Sequence, residues 1–479
     1  MIDDLKPYPA YKDSGVPWLG EVPEHWSVKR LKSTVRNVIE QSAEWRSGEL
    51  YLALENVESW TGRLRPTDSD IAFDSQVKRF RAGDVLFGKL RPYLAKVTRP
   101  ATAGVCVGEF LVLRPDGADG SAPYLEQLLR SKPVIDAVNS STFGAKMPRA
   151  DWQFVGCMPI TLPPLAEQSA IVRFLDHADR RIRRYIRANQ KLLKLLEEYK
   201  QALIHRAVTG QIDVRTGKPY PAYKPSGVEW LGDVPEHWEV RKLRQCGSIA
   251  GGMTPSMADR SLWDGGVPWV TPKDMKYFTI TGASMNVSTR ALEVTSLRLI
   301  PAGSVLLVVR GMILARRVPI ARTIRPVTIN QDMKAIVTRP GIDAGYLAYR
   351  LDAAQAAFVP MIDEAGHGTK RFPTERWKDL TLAIPPVDEQ RQLVDYLDSA
   401  TIQVTEALET ARREIDLLRE FRTRLIADVV TGKLDVREAA ARLPEEADEP
   451  EPLDEAEIES ESQADDAGDA EAAPEEAEA

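Results

Sequence analysis

The chain of 479 residues holds three cysteines and five histidines, and it lacks any apolar run of the roughly 18 residues that a membrane helix needs. Cys106, Cys157 and Cys246 are odd in number, far apart and without a C-x-x-C spacing. They suit neither a disulfide framework nor a zinc site, and a reducing compartment is expected. The opening MIDDLKPYPAYKD has no charged-then-apolar signal pattern, so the expectation is a soluble cytoplasmic protein. Also missing are G-x-x-x-x-G-K-[ST], G-x-G-x-x-G, H-E-x-x-H and G-x-S-x-G. Thr216-Gly217-Lys218 has no upstream glycine at the right spacing, and Pro115-Asp116 has no following Glu-x-Lys. No catalytic residue and no metal set is therefore assigned. His25 and His237 stand in a P-E-H-W segment, where packing beside the tryptophan is the expected role.

Net charge misleads at first. The whole chain carries −7, yet the stretch from Pro444 onward holds 17 acids and no base, so residues 1 to 443 carry +10. A basic body suits a polyanionic partner. The acidic stretch, rich in Glu, Asp, Ala and Pro, is expected to be disordered, either as a solubilising appendage or as a mimic of DNA that shields the basic part.

The strongest internal signal is duplication. YPAYKDSGVPWLGEVPEHWSVKRL from Tyr8 recurs as YPAYKPSGVEWLGDVPEHWEVRKL from Tyr220, at an offset of 212. PPLAEQ through VTGQIDVR (163 to 215) recurs as PPVDEQ through VTGKLDVR, ending at Arg437, at an offset of 222. Between these repeats lie residues 34–162 and 246–384, of domain size and with little mutual similarity. Two variable modules sit in one duplicated frame.

Each copy from the Pro-Pro pair onward predicts a long helix with Glu167 and Gln168, or Glu389 and Gln390, in its first turn and Gly210 or Gly432 as its stop. Leu175, Ile182, Ile186, Leu193, Leu196 and Leu203 match Leu397, Val404, Leu408, Ile415, Leu418 and Leu425 at spacings of seven, four, seven, three and seven. That is close to a 3.5-residue period, the seam of a coiled coil in a rod of roughly 60 Å. Two separate amphipathic helices, each lying on its own module, are the alternative. Asn189 could set the register of the seam or face solvent. The modules themselves look mixed α/β, with β-rich runs such as VLFGKLRPYLAKVTRP and SVLLVVRG beside helical APYLEQLLRSKPVIDAV and DAGYLAYRLDAAQAAFV.

Cations cluster on loops beside those strands. In the first module GKLRPYLAKV brings Lys89, Arg91, Tyr93 and Lys96 together, and GAKMPR adds Lys146 and Arg149. In the second, RGMILARRVPIARTIR carries Arg310, Arg316, Arg317, Arg322 and Arg325 without an acid, and GHGTKRFP adds Lys370 and Arg371. Such groups neutralise phosphates, and arginine can bond guanine through two N–H groups, so Lys89, Arg91, Tyr93, Lys96, Lys146, Arg149, Arg310, Arg316, Arg317, Lys370 and Arg371 are the candidate DNA contacts.

The paired W-L-G-x-V-P-E-H-W segments, the paired P-P-x-x-E-Q helices ending V-T-G-x-[IL]-D-V-R, and the GKLRPYLAKV and GGMTPS stretches resemble the DNA-specificity subunit of type I restriction-modification enzymes. The resemblance runs from residue 8 to about 440. It implies a mixed α/β (α+β) chain: repeated segment 1–33, target recognition domain 34–162, conserved helix 163–215, second repeated segment 216–245, second target recognition domain 246–384, C-terminal helix 385–440 and acidic tail 441–479. The two helices would form an antiparallel coiled coil that fixes the gap between two half-sites of double-stranded DNA. The repeats would dock two methyltransferase subunits, joined by restriction and translocase subunits. S-adenosylmethionine, ATP and Mg²⁺ would be held by those partners and not by this chain. A self-sufficient DNA-modifying enzyme and a non-DNA scaffold remain the other readings; the first lacks a motif and the second leaves the basic clusters unexplained.

Overall fold

A computed structural model describes residues 5–42, 49–65, 76–144, 147–364 and 369–444. The chain divides into two compact units, residues 1–191 with 412–479, and residues 192–411. The acidic tail from residue 445 onward and Lys146 lie outside the described residues. Among the described residues no helix is long and apolar enough to cross a membrane. The three cysteines are free, and burial pushes the Cys106 thiol up to about 12.

The first unit is built on an antiparallel sheet of strands β1 (Val35–Val38), β2 (Val85–Gly88), β3 (Val97–Thr98) and β4 (Phe110–Pro115), in the order β1-β4-β2-β3. Its inner face meets helix α1 (Ala122–Arg130) and the beginning of α2 (Leu165–Val208) in one apolar core that includes Phe87, Leu113, Leu125, Leu129, Ile171 and Leu175. The second unit repeats this plan. Strands β5 (Gly247–Gly251), β6 (Thr279–Ile280), β7 (Ser304–Val308), β8 (Ile320–Thr323) and β9 (Met333–Thr338) run in the order β5-β9-β7-β8-β6. Leaving aside β6, which joins β8 in parallel, the order is that of the first unit. Helices α3 (Ala344–Asp352) and α4 (Val387–Val430) take the places of α1 and α2. The long helical stretch read from APYLEQLLRSKPVIDAV breaks at Ser131, ahead of Pro133, into two helices.

Helices α2 and α4 each have 44 residues, begin directly after a Pro-Pro pair and end before a glycine with positive φ, 76° at Gly210 and 81° at Gly432. They pair antiparallel. In the first unit Arg422 donates to Asp179, and the Asn189 amide donates to Glu414 at 3.2 Å. In the second unit the Lys200 amine donates to Thr405 at 2.9 Å. None of the twelve seam positions is exposed: Leu193, Leu196, Leu203 and Leu418 are half-buried and the other eight are buried. Asn189 stands at the edge of the seam, half-buried. Both sequence expectations for the helices have a counterpart, because the same helices that pair also enter the module cores.

One clasp, built twice, ties each repeated segment to the start of a long helix. In the first unit the Glu167 carboxylate is 6% exposed. It accepts from the Tyr8 hydroxyl at 2.6 Å and the Trp26 indole at 3.0 Å on one oxygen, and lies 2.7 Å from His25 Nε2 on the other. Glu389 makes the same three contacts with Tyr220, Trp238 and His237, at the same distances. The neighbouring glutamine faces the module. Gln168 accepts from the Ser121 amide ahead of α1, and Gln390 accepts from the Asp343 amide ahead of α3, both at 2.8 Å. Gly432 lies against Pro23 and Trp26, as Gly210 does against Pro235 and Trp238. The two histidines stand beside the buried tryptophans as the sequence predicts, and each also bonds a buried carboxylate.

Candidate nucleic-acid interface

Two loops far apart in sequence converge at the outer end of β2. Leu90 bridges to Arg149, the Arg91 amide donates to the Pro148 carbonyl at 2.8 Å, and the Ala150 amide donates to the Lys89 carbonyl at 2.8 Å. Backbone pairing thus brings GKLRPYLAKV and residues 148–150 into one basic corner. Arg149 is 56% exposed and reaches Glu109 at 3.2 Å, which leaves donors facing outward. Tyr93 is exposed, while Lys89 and Arg91 are half-buried. Lys96 turns inward and donates to the Leu54 carbonyl at 3.0 Å, so its amine is engaged by the protein.

The second unit has an equivalent corner at the end of β7. Arg310 bridges to Arg371, the Gly311 amide donates to the Lys370 carbonyl at 3.1 Å, and the Phe372 amide donates to the Val309 carbonyl at 2.8 Å. Arg310, Arg316 and Arg371 are exposed. Arg317 is anchored to Asp352 at 2.6 Å; burial nevertheless holds that carboxyl above its usual range. Lys370 reaches the exposed Glu364 at 3.1 Å. A cavity of about 210 Å³ beside the corner is lined by Leu314, Arg316, Arg317, Phe358 and Lys370 among others. Arg322 is drawn away from the cluster to Asp398 at 2.7 Å.

Both corners thus offer outward guanidinium groups next to exposed apolar side chains: Tyr93, Phe143 and Met147 in the first unit, Met312 and Ile313 in the second. Cations meet phosphates, and apolar atoms meet base edges such as the thymine methyl. Among the described residues no group of three His, Cys, Asp or Glu side chains is gathered as a metal set.

The family model described as Type I restriction modification DNA specificity domain matches residues 235–416, from the second clasp through the second corner and into α4. Over those residues the chain is similar to this type I DNA-specificity domain. Over 173 residues it is 32% identical to the type I restriction enzyme MjaIX specificity subunit of Methanocaldococcus jannaschii, a match covering 35% of this chain and 38% of that protein. Over 255 residues it is 28% identical to the EcoR124I/EcoR124II specificity subunit of Escherichia coli, covering 53% and 56%. The chain thus spans between about two fifths and just over half of the length of these curated relatives. Its fold is that of a chain in a solved structure described as the structural basis of complex assembly and conformational transition of the type I R-M system, with a TM-score of 0.66 and 20% identity over 86% of this chain and 99% of that one.

The clasp was not legible from the sequence, where Glu167, Gln168, Glu389 and Gln390 stand as helix-start residues only. The signal was present. YPAY, PEHW and E-Q are among the stretches kept identical in both copies, and identity of polar residues within a repeat marks side chains that need one another.

Proposed function

We propose that the chain is the DNA-specificity subunit of a type I restriction-modification complex, non-catalytic by itself, that binds double-stranded DNA through its two basic corners and reads a bipartite asymmetric site. The observation carrying this reading is the double construction: one strand topology, one clasp and one cation-bearing corner, each present twice, with unlike loops at the corners. A repeated frame can hold two like partners while its modules read unlike half-sites. The repeated segments and helices would dock two methyltransferase subunits, with restriction and translocase subunits joining them. The length of α2 and α4 would set the gap between half-sites.

S-adenosylmethionine, ATP and Mg²⁺ belong, in this proposal, to the partner subunits. The carboxylates at the corners, Glu109, Asp352 and Glu364, are each engaged by a cation, and among the described residues they are not gathered as a set, which does not fit Mg²⁺; no step through these cofactors is derived for this chain. The test is co-purification with methyltransferase subunits, followed by mapping of methylated adenine. The complex should methylate within a bipartite site, the isolated chain should not, and exchange of residues 246–384 for those of a relative should alter one half-site only. Methylation by the isolated chain, or change in both half-sites, would overturn the proposal.

A further inference from the structure

The two corners share a backbone and differ in what they display. Leu90 faces Arg149 and Arg310 faces Arg371, so an arginine holds the same backbone position in both units. Gly88 donates its amide to the Lys96 carbonyl, and Val308 donates to that of Pro319. Between these fixed points the chains diverge: residues 92–95 make the connection in the first unit, whereas the longer stretch 312–318 makes it in the second. The first loop exposes Tyr93 at 43%. The second exposes Met312 at 64%, Ile313 at 39% and the guanidinium of Arg316, which has no ion-pair partner among the described residues.

We infer that Arg149 and Arg371 are the phosphate anchors of the two corners and that loops 92–95 and 312–318 are the base readers, an assignment that rests on the DNA reading proposed above. A side chain repeated at the same place in the same backbone cannot tell one half-site from another. What changes between the copies can, and phosphate contacts position a protein while base contacts specify. Arg316 supplies the two-pronged donor that suits guanine O6 and N7, and Met312 and Ile313 supply apolar contact for a thymine methyl. The first loop replaces these with one aromatic ring beside Arg91. That arginine holds a φ of 49° where the second unit has Gly311, also at positive φ. Glycine adopts such a backbone without strain and arginine does not, so the Arg91 side chain is retained against local preference at the lip of the reading loop.

The test uses the full chain, a duplex library randomised over both half-sites, and random duplex over a salt series. Arg149→Ala and Arg371→Ala should weaken binding to all sequences alike, each lowering the slope of log K against log salt by about 0.9, and Arg→Lys at either position should restore that slope. Arg316→Ala should cost about 5- to 150-fold at one base pair of one half-site. Tyr93→Ala should change preference in the other half-site only. An altered base preference in the Arg149 or Arg371 variants, or a sequence-independent loss from the loop variants, would overturn the assignment while leaving the DNA reading intact. Failure of the parent chain to bind any duplex would overturn both.

Discussion

Removing the Glu167 carboxylate tests whether the clasp holds the first unit together. In Glu167→Ala the Tyr8 hydroxyl and the Trp26 indole both lose their acceptor, and both rings are buried, at 3% and 0% exposure. An orphaned buried donor costs about 1–3 kcal/mol, so two of them give roughly 2–6 kcal/mol. His25 adds little because its side chain is 41% exposed and can turn to water. For a unit of this size each kcal/mol shifts Tm by about 2–4 °C, which makes the expected fall roughly 4–24 °C. Glu167→Gln keeps an acceptor oxygen for Tyr8 and Trp26 and should lose only about 1–2 kcal/mol. Hydrogen exchange locates the effect: protection should drop in peptides around Trp26 and residues 425–437 and persist around Trp238 and residues 204–212. Glu389→Ala should give the opposite pattern. A loss below about 1 kcal/mol in Glu167→Ala, or equal deprotection of both clasps, would refute the reasoning.

Three further outcomes are expected. Burial first, then the bond to Glu167 and its charge, push the Tyr8 hydroxyl well above its usual range, and Glu389 does the same to Tyr220; a raised pKa means that stability is intact below about pH 10 and declines as pH rises beyond it, so Tyr8→Phe should flatten the alkaline arm of a denaturation profile. At Gly432 the φ is 81° and an added Cβ would meet Pro23 Cδ at 2.3 Å, whereas at Gly20 the φ is 63° with nothing within 4 Å; Gly432→Ala should cost about 2–4 kcal/mol and Gly20→Ala about 1 kcal/mol in urea unfolding, and equal costs would remove the packing argument. The Arg350 guanidinium is fully buried with no hydrogen-bond partner among the described residues, 4.9 Å from the Trp230 ring, at the helix position that Leu128 takes in the first unit; Arg350→Leu should therefore stabilise the second unit by roughly 1–3 kcal/mol, and a loss of similar size would show that a polar partner meets this arginine in solution.

What could be read in advance followed from periodicity and repetition. The two 44-residue helices announced themselves through seam spacing, flanking prolines and terminal glycines, which are local. The corners were legible as two runs of cations but not as single sites, because the strand-end pairing that joins Leu90 to Arg149 spans a whole module. Composition could not show that Lys96 is held by the Leu54 carbonyl or Arg317 by Asp352, since each partner is far away in sequence. The clasp lay beyond local reading for the same reason: a glutamate in a first helical turn satisfies capping rules by itself, so nothing nearby demanded Tyr8, His25 and Trp26 as its partners.

The duplication also explains a departure from symmetry. In the second unit the clasp closes across a tight turn, where Asp213 bridges to Lys218 and Arg215 bonds Asp213 at 2.7 Å. In the first unit the matching bridge joins Lys6 to Asp435, near opposite ends of the described chain, and Arg437 bonds Asp435 at 2.6 Å. The same contact therefore forms without the turn that makes it local, at a higher entropic cost of closure. Additional contacts appear on that side. Arg437 lies 5.1 Å from the Tyr8 ring, a short helix (Arg437–Ala441) buries Ala440, and Arg173 donates to the Leu443 carbonyl at 2.7 Å. These contacts offset what the open connection loses, so residues 437–443 complete the first clasp rather than merely trail from α4. The acidic run starts directly beyond them, so the boundary between body and tail falls where the last residues needed to close the first unit have been placed.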